Sequence, residues 1–175
     1  MNYPVSYILP AQLKDGTLIQ LRLIHPIDGK LVQAFKDKLS PESIKDRFLG
    51  YIPSVTEKLV QRLTKIDYDQ EMAIVAESIV GQQKEPIAVA RIVGEAGKKE
   101  WAEFALIIVD DWQGKGLGAI MTDYMIRIAQ DMQFEKLVAL FYNHNLGMKN
   151  ILEQRGFVFK ANDFNTTCAT LILNN

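Results

Sequence analysis

Residues 18–24, LIQLRLI, alternate apolar and polar side chains, the period-two pattern of a strand with one buried face. Pro26 stops that strand and can open a helix. Residues 28–39 carry Leu31, Val32, Phe35 and Leu39 at helical spacing. Ser40-Pro41-Glu42-Ser43 then has the chemistry of a helix start: a serine cap, proline in the first turn and an acid near the positive end of the dipole. Gly50 closes that helix, and residues 56–65 predict another behind a Thr56 cap. Farther on the pattern changes. Residues 72–80 and 87–93 are β-branched and apolar around a polar GQQKEP turn, which predicts a hairpin. Residues 101–109 predict a third strand of the same meander. Ile120, Tyr124, Ile128 and Met132 recur every fourth residue and predict a long amphipathic helix over 116–133. A short strand (137–141), a helix (145–154, closed by Gly156) and two strands (157–160 and 168–173) complete the reading, the last two antiparallel across Asn162-Asp163.

This order predicts one α+β domain over residues 18–175, with a mixed, mostly antiparallel sheet flanked by helices. Residues 1–17, with Pro4, Pro10 and an Asp15-Gly16 turn signal, predict an extended lead-in. Composition narrows the class. At 175 residues and 48% hydrophobic, the chain can bury a proper core and is too apolar for a disordered protein. Twenty basic and 21 acidic side chains, net charge -1, argue against a general nucleic-acid binder. One cysteine, Cys168, excludes an intramolecular disulfide and a cysteine-cluster zinc site, and having only two histidines argues against a histidine metal centre. No stretch reaches the roughly 20 apolar residues of a membrane span, and the N-terminus does not read as a signal peptide. A cytoplasmic, soluble protein without nucleic-acid or membrane partners is the expectation. Cys168, in an apolar strand, is expected in the core.

The segment VDDWQGKGLG, residues 109–118, joins a strand to the long helix. Glycine permits close approach of backbone to ligand, and a helix N-terminus offers unpaired N–H groups and a positive dipole end. A glycine-rich turn at that place suits phosphates, with Lys115 adding charge. The same turn also suits plain capping of the helix. The spacing is neither a Walker loop nor the dinucleotide G-x-G-x-x-G.

Gln113, Gly116 and Gly118 do fill Q-x-x-G-x-G, and Asn145 stands eleven residues before Gly156-Phe157. With these motifs and this order of elements, the chain resembles the GNAT superfamily of N-acetyltransferases over nearly all of residues 18–173. RFLGYIPSVTEKLVQRLTKIDYDQEMAIVAE, AEFALIIVDDWQGKGLG and NHNLGMKNILEQRGF resemble the acetyltransferase domain of Pat-type bacterial protein lysine acetyltransferases. The resemblance implies a GNAT fold and acetyl-CoA as co-substrate, with no metal. Its pyrophosphate would lie on Gln113, Gly114, Lys115, Gly116, Leu117, Gly118 and Ala119. The pantetheine arm would run along the backbone of Ile107, Ile108 and Val109, where the strand splays from its neighbour, with Asn145 also at the arm. An ordinary helix cap is an equal reading of Asn145.

The implied reaction is acetyl transfer to a primary amine, with a protein lysine as the leading acceptor. An amine with a pKa near 10.4 is protonated at neutral pH, so the reaction needs a base. Glu103, in AEF, stands where lysine acetyltransferases keep a catalytic glutamate. Burial among Trp101, Phe104 and Leu106 is expected to raise its pKa. Many members place a tyrosine acid where this chain has Leu152. Tyr142 and His144 are the substitutes, or water serves. Lys149 and Arg155 are further phosphate candidates, although solvated surface roles suit them better. Asp67, Asp69 and Glu71 read as a solvated acidic loop or an attractor for a basic substrate. The rival functions are acetylation of a small amine (polyamine, amino acid or aminoglycoside) and acyl-CoA sensing without catalysis, for which Glu103 would be superfluous.

Overall fold

The apolar, β-branched runs of the middle of the chain pair into the centre of an eight-stranded sheet. The computed structural model describes residues 7–50, 56–81 and 83–173. The strands are β1 (Leu9–Gln12), β2 (Leu18–Leu23), β3 (Glu71–Val80), β4 (Gln83–Gly94), β5 (Ala102–Ile108), β6 (Lys136–Tyr142), β7 (Val158–Ala161) and β8 (Thr166–Ile172). They lie in the order β1-β2-β3-β4-β5-β6-β8-β7. Among the described residues only the β5–β6 pair is parallel, so the sheet is mixed as expected. The helices are α1 (Gly29–Lys36), α2 (Pro41–Phe48), α3 (Glu57–Thr64), α4 (Leu117–Asp131) and α5 (Leu146–Glu153).

The expected lead-in contains a strand. The Asp15-Gly16 signal closes a hairpin in which Leu9 pairs with Leu21 and Gln12 with Leu18, and Leu13 is buried in the main core. A sequence pattern of four residues with two half-buried positions is too short to register as period two. Pro86 lies within the long strand β4, where it can donate no ladder bond; the β3–β4 register shifts there, from Ala76 opposite Ala88 to Glu77 opposite Pro86, leaving Ile87 as the extra residue of a bulge.

Alternation along each strand sends side chains to two layers. Helix α4 packs against β4 and β5 on one face, where Phe104, Leu117, Met121 and Met125 are buried in the main core. Helices α1, α2 and α3 cover the other face, where Phe35, Ile107 and Val109 form a smaller cluster. The caps follow the sequence: Ser40 accepts the Ser43 N–H and Thr56 the Leu59 N–H. Cys168 is half-buried rather than core, because its residue faces out beside β7 on a strand near the sheet edge.

On β2, Arg22 forks between two carboxylates, 2.7 Å from Asp28 and 2.8 Å from Glu77, and Glu77 is 4% exposed. Burial alone would lower the guanidinium's pKa; the hydrogen bonds to Asp28 and Glu77 more than offset it and leave the pKa raised. This pair holds the 3-10 turn at Pro26–Asp28, and with it the entry to α1, onto the sheet. Removing one partner of a buried pair costs roughly 3–5 kcal/mol. Arg22→Ala is therefore expected to destabilise the protein by about that amount in urea unfolding, and adding Glu77→Gln to recover part of the loss.

Candidate active site

The parallel pair β5–β6 holds together for two residues only, Ala102 opposite Leu137 and Glu103 opposite Val138. Beyond Glu103 the strands part, and a wedge opens between them. On its other edge β5 stays in register with β4 as far as Ile108, and the Val109 N–H donates to Ile87 O at 2.9 Å. Main-chain groups alternate sides along a strand. Ile107 and Val109 therefore turn their backbone toward β4, and Leu106 and Ile108 turn theirs into the wedge. The splay expected at residues 107–109 thus begins earlier, at Phe104, and Leu106 rather than Val109 shares the wedge-facing backbone with Ile108. The Gln113 side-chain amide donates to Ile108 O at 3.1 Å, which ties the loop to the wall of the wedge.

At the mouth of the wedge, residues 109–118 make a 3-10 turn (Asp110–Trp112) and then the glycine loop. Gly114 and Gly116 adopt φ of +73° and +88°, left-handed values that glycine takes without steric cost. The N–H groups of residues 114–119 have no partner among the described residues, while the next one, Ile120, closes the first helical bond to Gly116 O. An unbroken run of donors at the positive end of a 15-residue helix is a nest for an anion. Gly118 serves packing instead. A Cβ there would stand 2.6 Å from Ile151 Cδ1 and 3.2 Å from Ile108 Cδ1, so glycine lets α4 approach both α5 and β5.

Two lysines flank the nest. The Lys115 ammonium lies 4.8 Å from the Trp112 ring centroid. Lys14, from the β1–β2 turn, lays its side chain over Gly116, whose Cβ position lies 3.7 Å from Lys14 Cε. Sequence reasoning missed Lys14, since no local motif marks it and only the hairpin carries it to the loop. Arg155 is committed elsewhere: it pairs with Asp123 at 2.7 Å and donates to Ala119 O and Ile151 O, joining α4 to α5. Lys149 is exposed.

Glu103 stands at the vertex of the wedge, and its expected burial is not observed. Its side chain is exposed, Trp101 is 44% exposed, and Phe104 and Leu106 alternate onto the opposite face. Arg47 of α2 lies within electrostatic reach of it: burial lowers the guanidinium's pKa, and the charge of Glu103 partly offsets that. Helix α2 packs on both β5 and β6, bridging the gap that the splay leaves. Its start is latched to the loop by Asp110, which accepts the Ser40 N–H (3.0 Å), the Ser40 hydroxyl (2.7 Å) and the Ser43 hydroxyl (3.0 Å). Partial burial pushes the Asp110 carboxyl up, but the Ser40 and Ser43 hydrogen bonds outweigh it and hold its pKa below the usual carboxylate value.

The remaining expected residues are placed as follows. Leu152, at the usual tyrosine position, is fully buried, so no acid stands there. Tyr142 ends β6 and stacks on His144, ring centroids 5.3 Å apart, and His144 Nε2 lies 2.9 Å from Asp46 Oδ1 of α2. Asn145 caps α5, its Oδ1 accepting the Met148 N–H at 2.9 Å. Glu71 is bound by Arg62 and Arg91, and Asp67 accepts the Asp69 N–H and the Gln70 side chain, so these two carboxylates are structural, while Asp69 is exposed. No cluster of three metal-ligating side chains occurs among the described residues, and no helix among them is long and apolar enough to cross a membrane.

Residues 20–158 match the acetyltransferase (GNAT) domain family. An acetyltransferase of Pseudomonas aeruginosa is 30% identical over 148 residues, covering 83% of this chain and 78% of that protein. Acetyltransferase Pat of Mycolicibacterium smegmatis is 28% identical over 156 residues, and the match spans 89% of this chain and 46% of Pat. The crystal structure of the GNAT domain of S. lividans PAT superposes with a TM-score of 0.89 at 22% identity, covering 98% of this chain and all of that one. Spermidine N-acetyltransferase from Vibrio cholerae, crystallised with CoA and spermine, has a TM-score of 0.72 at 17% identity, covering 89% and 95% of the two chains. The chain belongs to the GNAT acetyltransferase family and has its fold. Acetyl-CoA is the co-substrate of that family, and the unpaired N–H run with its two lysines fits a diphosphate.

Two outcomes are expected. Lys14→Ala should weaken coenzyme A binding several-fold in calorimetry, more strongly at low ionic strength than at high. Asp110→Asn should be less stable than the wild type at neutral pH. A carboxyl with a depressed folded-state pKa contributes stability above its unfolded value near 3.9, and loses it as pH falls through the lower folded value. The stability gap should therefore close in acid unfolding below about pH 4.

Proposed function

We propose that this GNAT acetyltransferase moves the acetyl group of acetyl-CoA to the side-chain amine of a protein lysine, with Glu103 as the general base. The observation that carries the proposal is the position of Glu103: the last residue of β5 still paired with β6, exposed at the vertex from which the wedge opens. Acetyl-CoA supplies the acetyl group already activated as a thioester. Residues 114–119, with Gln113, Lys14 and Lys115, bind its diphosphate, and the wedge-facing backbone of Leu106 and Ile108 binds the arm.

An alkylammonium cannot attack until its proton leaves. Glu103 takes that proton, directly or through one water, and its exposure lets the proton pass on to solvent. Backbone donors fixed along β5 need no reorganisation when charge develops beside them. With Leu152 in the acid's place, the departing thiolate is protonated by water.

A protein acceptor is supported by the resemblance to Pat-type enzymes and by an open groove at the β6 side of the wedge. Leu49, Leu140, Tyr142 and Phe164 line that groove, and Phe164 on the β7–β8 turn is 95% exposed. A large exposed aromatic at the edge of such a groove is a common anchor for a protein partner. A polyamine would need several carboxylates, whereas among the described lining residues the groove has one, Asp163, and the pocket beneath the site has none.

Thiol release from acetyl-CoA in the presence of a lysine-bearing protein tests this reading. Glu103→Gln should lower kcat roughly 10²–10⁴-fold and leave the affinity for acetyl-CoA unchanged. Full activity in that variant removes Glu103 as the base. Turnover of small amines without any protein acetylation assigns the site to the small-amine reading.

A further inference from the structure

Beneath the wedge, between α1–α3 and the β4–β5 face, lies a pocket walled by Leu31, Phe35, Leu59, Leu63, Val89 and Ile107. Its charged lining groups among the described residues are all cations: Arg47, Arg91 and Lys36. Such a pocket repels the ammonium that the reaction consumes, so it has another task. Arg91 is 6% exposed and already satisfied; it pairs with Glu71 at 3.2 Å and donates to Leu63 O. Burial lowers its pKa to about 10 despite Glu71.

Arg47 differs. It makes no hydrogen bond or ion pair among the described residues; its surroundings are the Phe48 ring, 4.9 Å away, and the longer-range fields of Glu103 and Arg91. No fully buried side-chain nitrogen among them lacks a partner, so the unbonded Arg47 nitrogens reach open space. A guanidinium half-buried among apolar walls without a counter-ion is costly unless something supplies one. Its planar fork matches a carboxylate in two parallel bonds. Glu103 does not close that gap, since no ion pair forms between the two.

We infer that Arg47 is a specificity residue: it binds a carboxylate carried by the acceptor close to the reacting amine, which for a protein acceptor is an Asp or Glu side chain next to the target lysine. This rests on the acceptor reading above and sharpens it. Glu103, Ala105 and Ile107 share one face of β5, and Ile107 lines the pocket together with Arg47, so the pocket and the vertex adjoin. Arg91 and Lys36 add to the positive field without competing for the anion's partner. The apolar walls accept the methylenes of the acidic side chain and strengthen the charge-assisted bonds by excluding water.

Capped peptides with one lysine, and Glu or Gln at one or two residues to either side, test the inference. For wild type, kcat/KM should favour at least one Glu peptide over its Gln counterpart by roughly 10- to 100-fold, the range of a hydrogen bond to a charged group. The gain should lie mainly in KM. Arg47→Gln should bring the pair within about twofold, and Arg47→Lys, which keeps charge without the fork, should retain part of the preference. Circular dichroism and acetyl-CoA binding check that the variants fold; if Arg47→Gln does not, the Glu-to-Gln ratio of the wild type decides. Equal rates on both peptides, or a preference that survives Arg47→Gln, overturns the inference. Should no capped peptide react while a free amino acid does, with the same dependence on Arg47, the carboxylate site stands and the protein acceptor falls.

Discussion

The molecule's chemistry depends on two strands that stop pairing. A parallel pair in the middle of a sheet would normally run on, because unpaired backbone groups away from water are expensive. Here β5 and β6 separate after Glu103 and Val138. The separation leaves main-chain donors and acceptors on β5 facing an opening instead of a neighbour. It also creates the space in which an extended ligand arm can act as the missing strand, as in other cases where a peptide-like segment completes an open sheet edge.

Everything near the opening serves to keep it open and to furnish it. The Gln113 side chain occupies Ile108 O at the mouth, and α2 bridges β5 and β6 below. Asp110 joins the start of α2 to the glycine loop through Ser40 and Ser43, so the element that carries Arg47 and the loop that offers the N–H groups are mechanically one unit. On the opposite layer, Gly118 and the Arg155–Asp123 pair set α4 against α5 and fix the direction in which the free N–H groups point. The lysine of the β1–β2 turn completes that end.

Local chemistry made much of this legible beforehand. Ser40 and Thr56 as caps, the β3–β4–β5 meander and the loop glycines each follow from a few adjacent residues with one strong preference. The strand Leu9–Gln12 was not legible, because it is short and its order comes from pairing with β2 rather than from its own pattern. The burial expected of Glu103 fails because the alternation that buries Phe104 turns Glu103 outward. The solvated role favoured for Arg155, which is instead paired with Asp123, and the omission of Lys14 have the same cause, since which cations are already spent is decided by contacts between distant segments. Arg47 belongs to this class as well; an arginine on a helix carries no mark of the pocket it will enter.

The central claim is that the backbone N–H groups of residues 114–119 and the wedge-facing edge of β5 are the unfilled partners of acetyl-CoA. Amide hydrogen exchange, resolved by residue, tests it most directly with and without saturating acetyl-CoA. The account predicts that protection rises at residues 114–119 and at Leu106 and Ile108 while β2 and β3 stay unchanged. Protection appearing elsewhere, with those amides exchanging as fast as before, would contradict it.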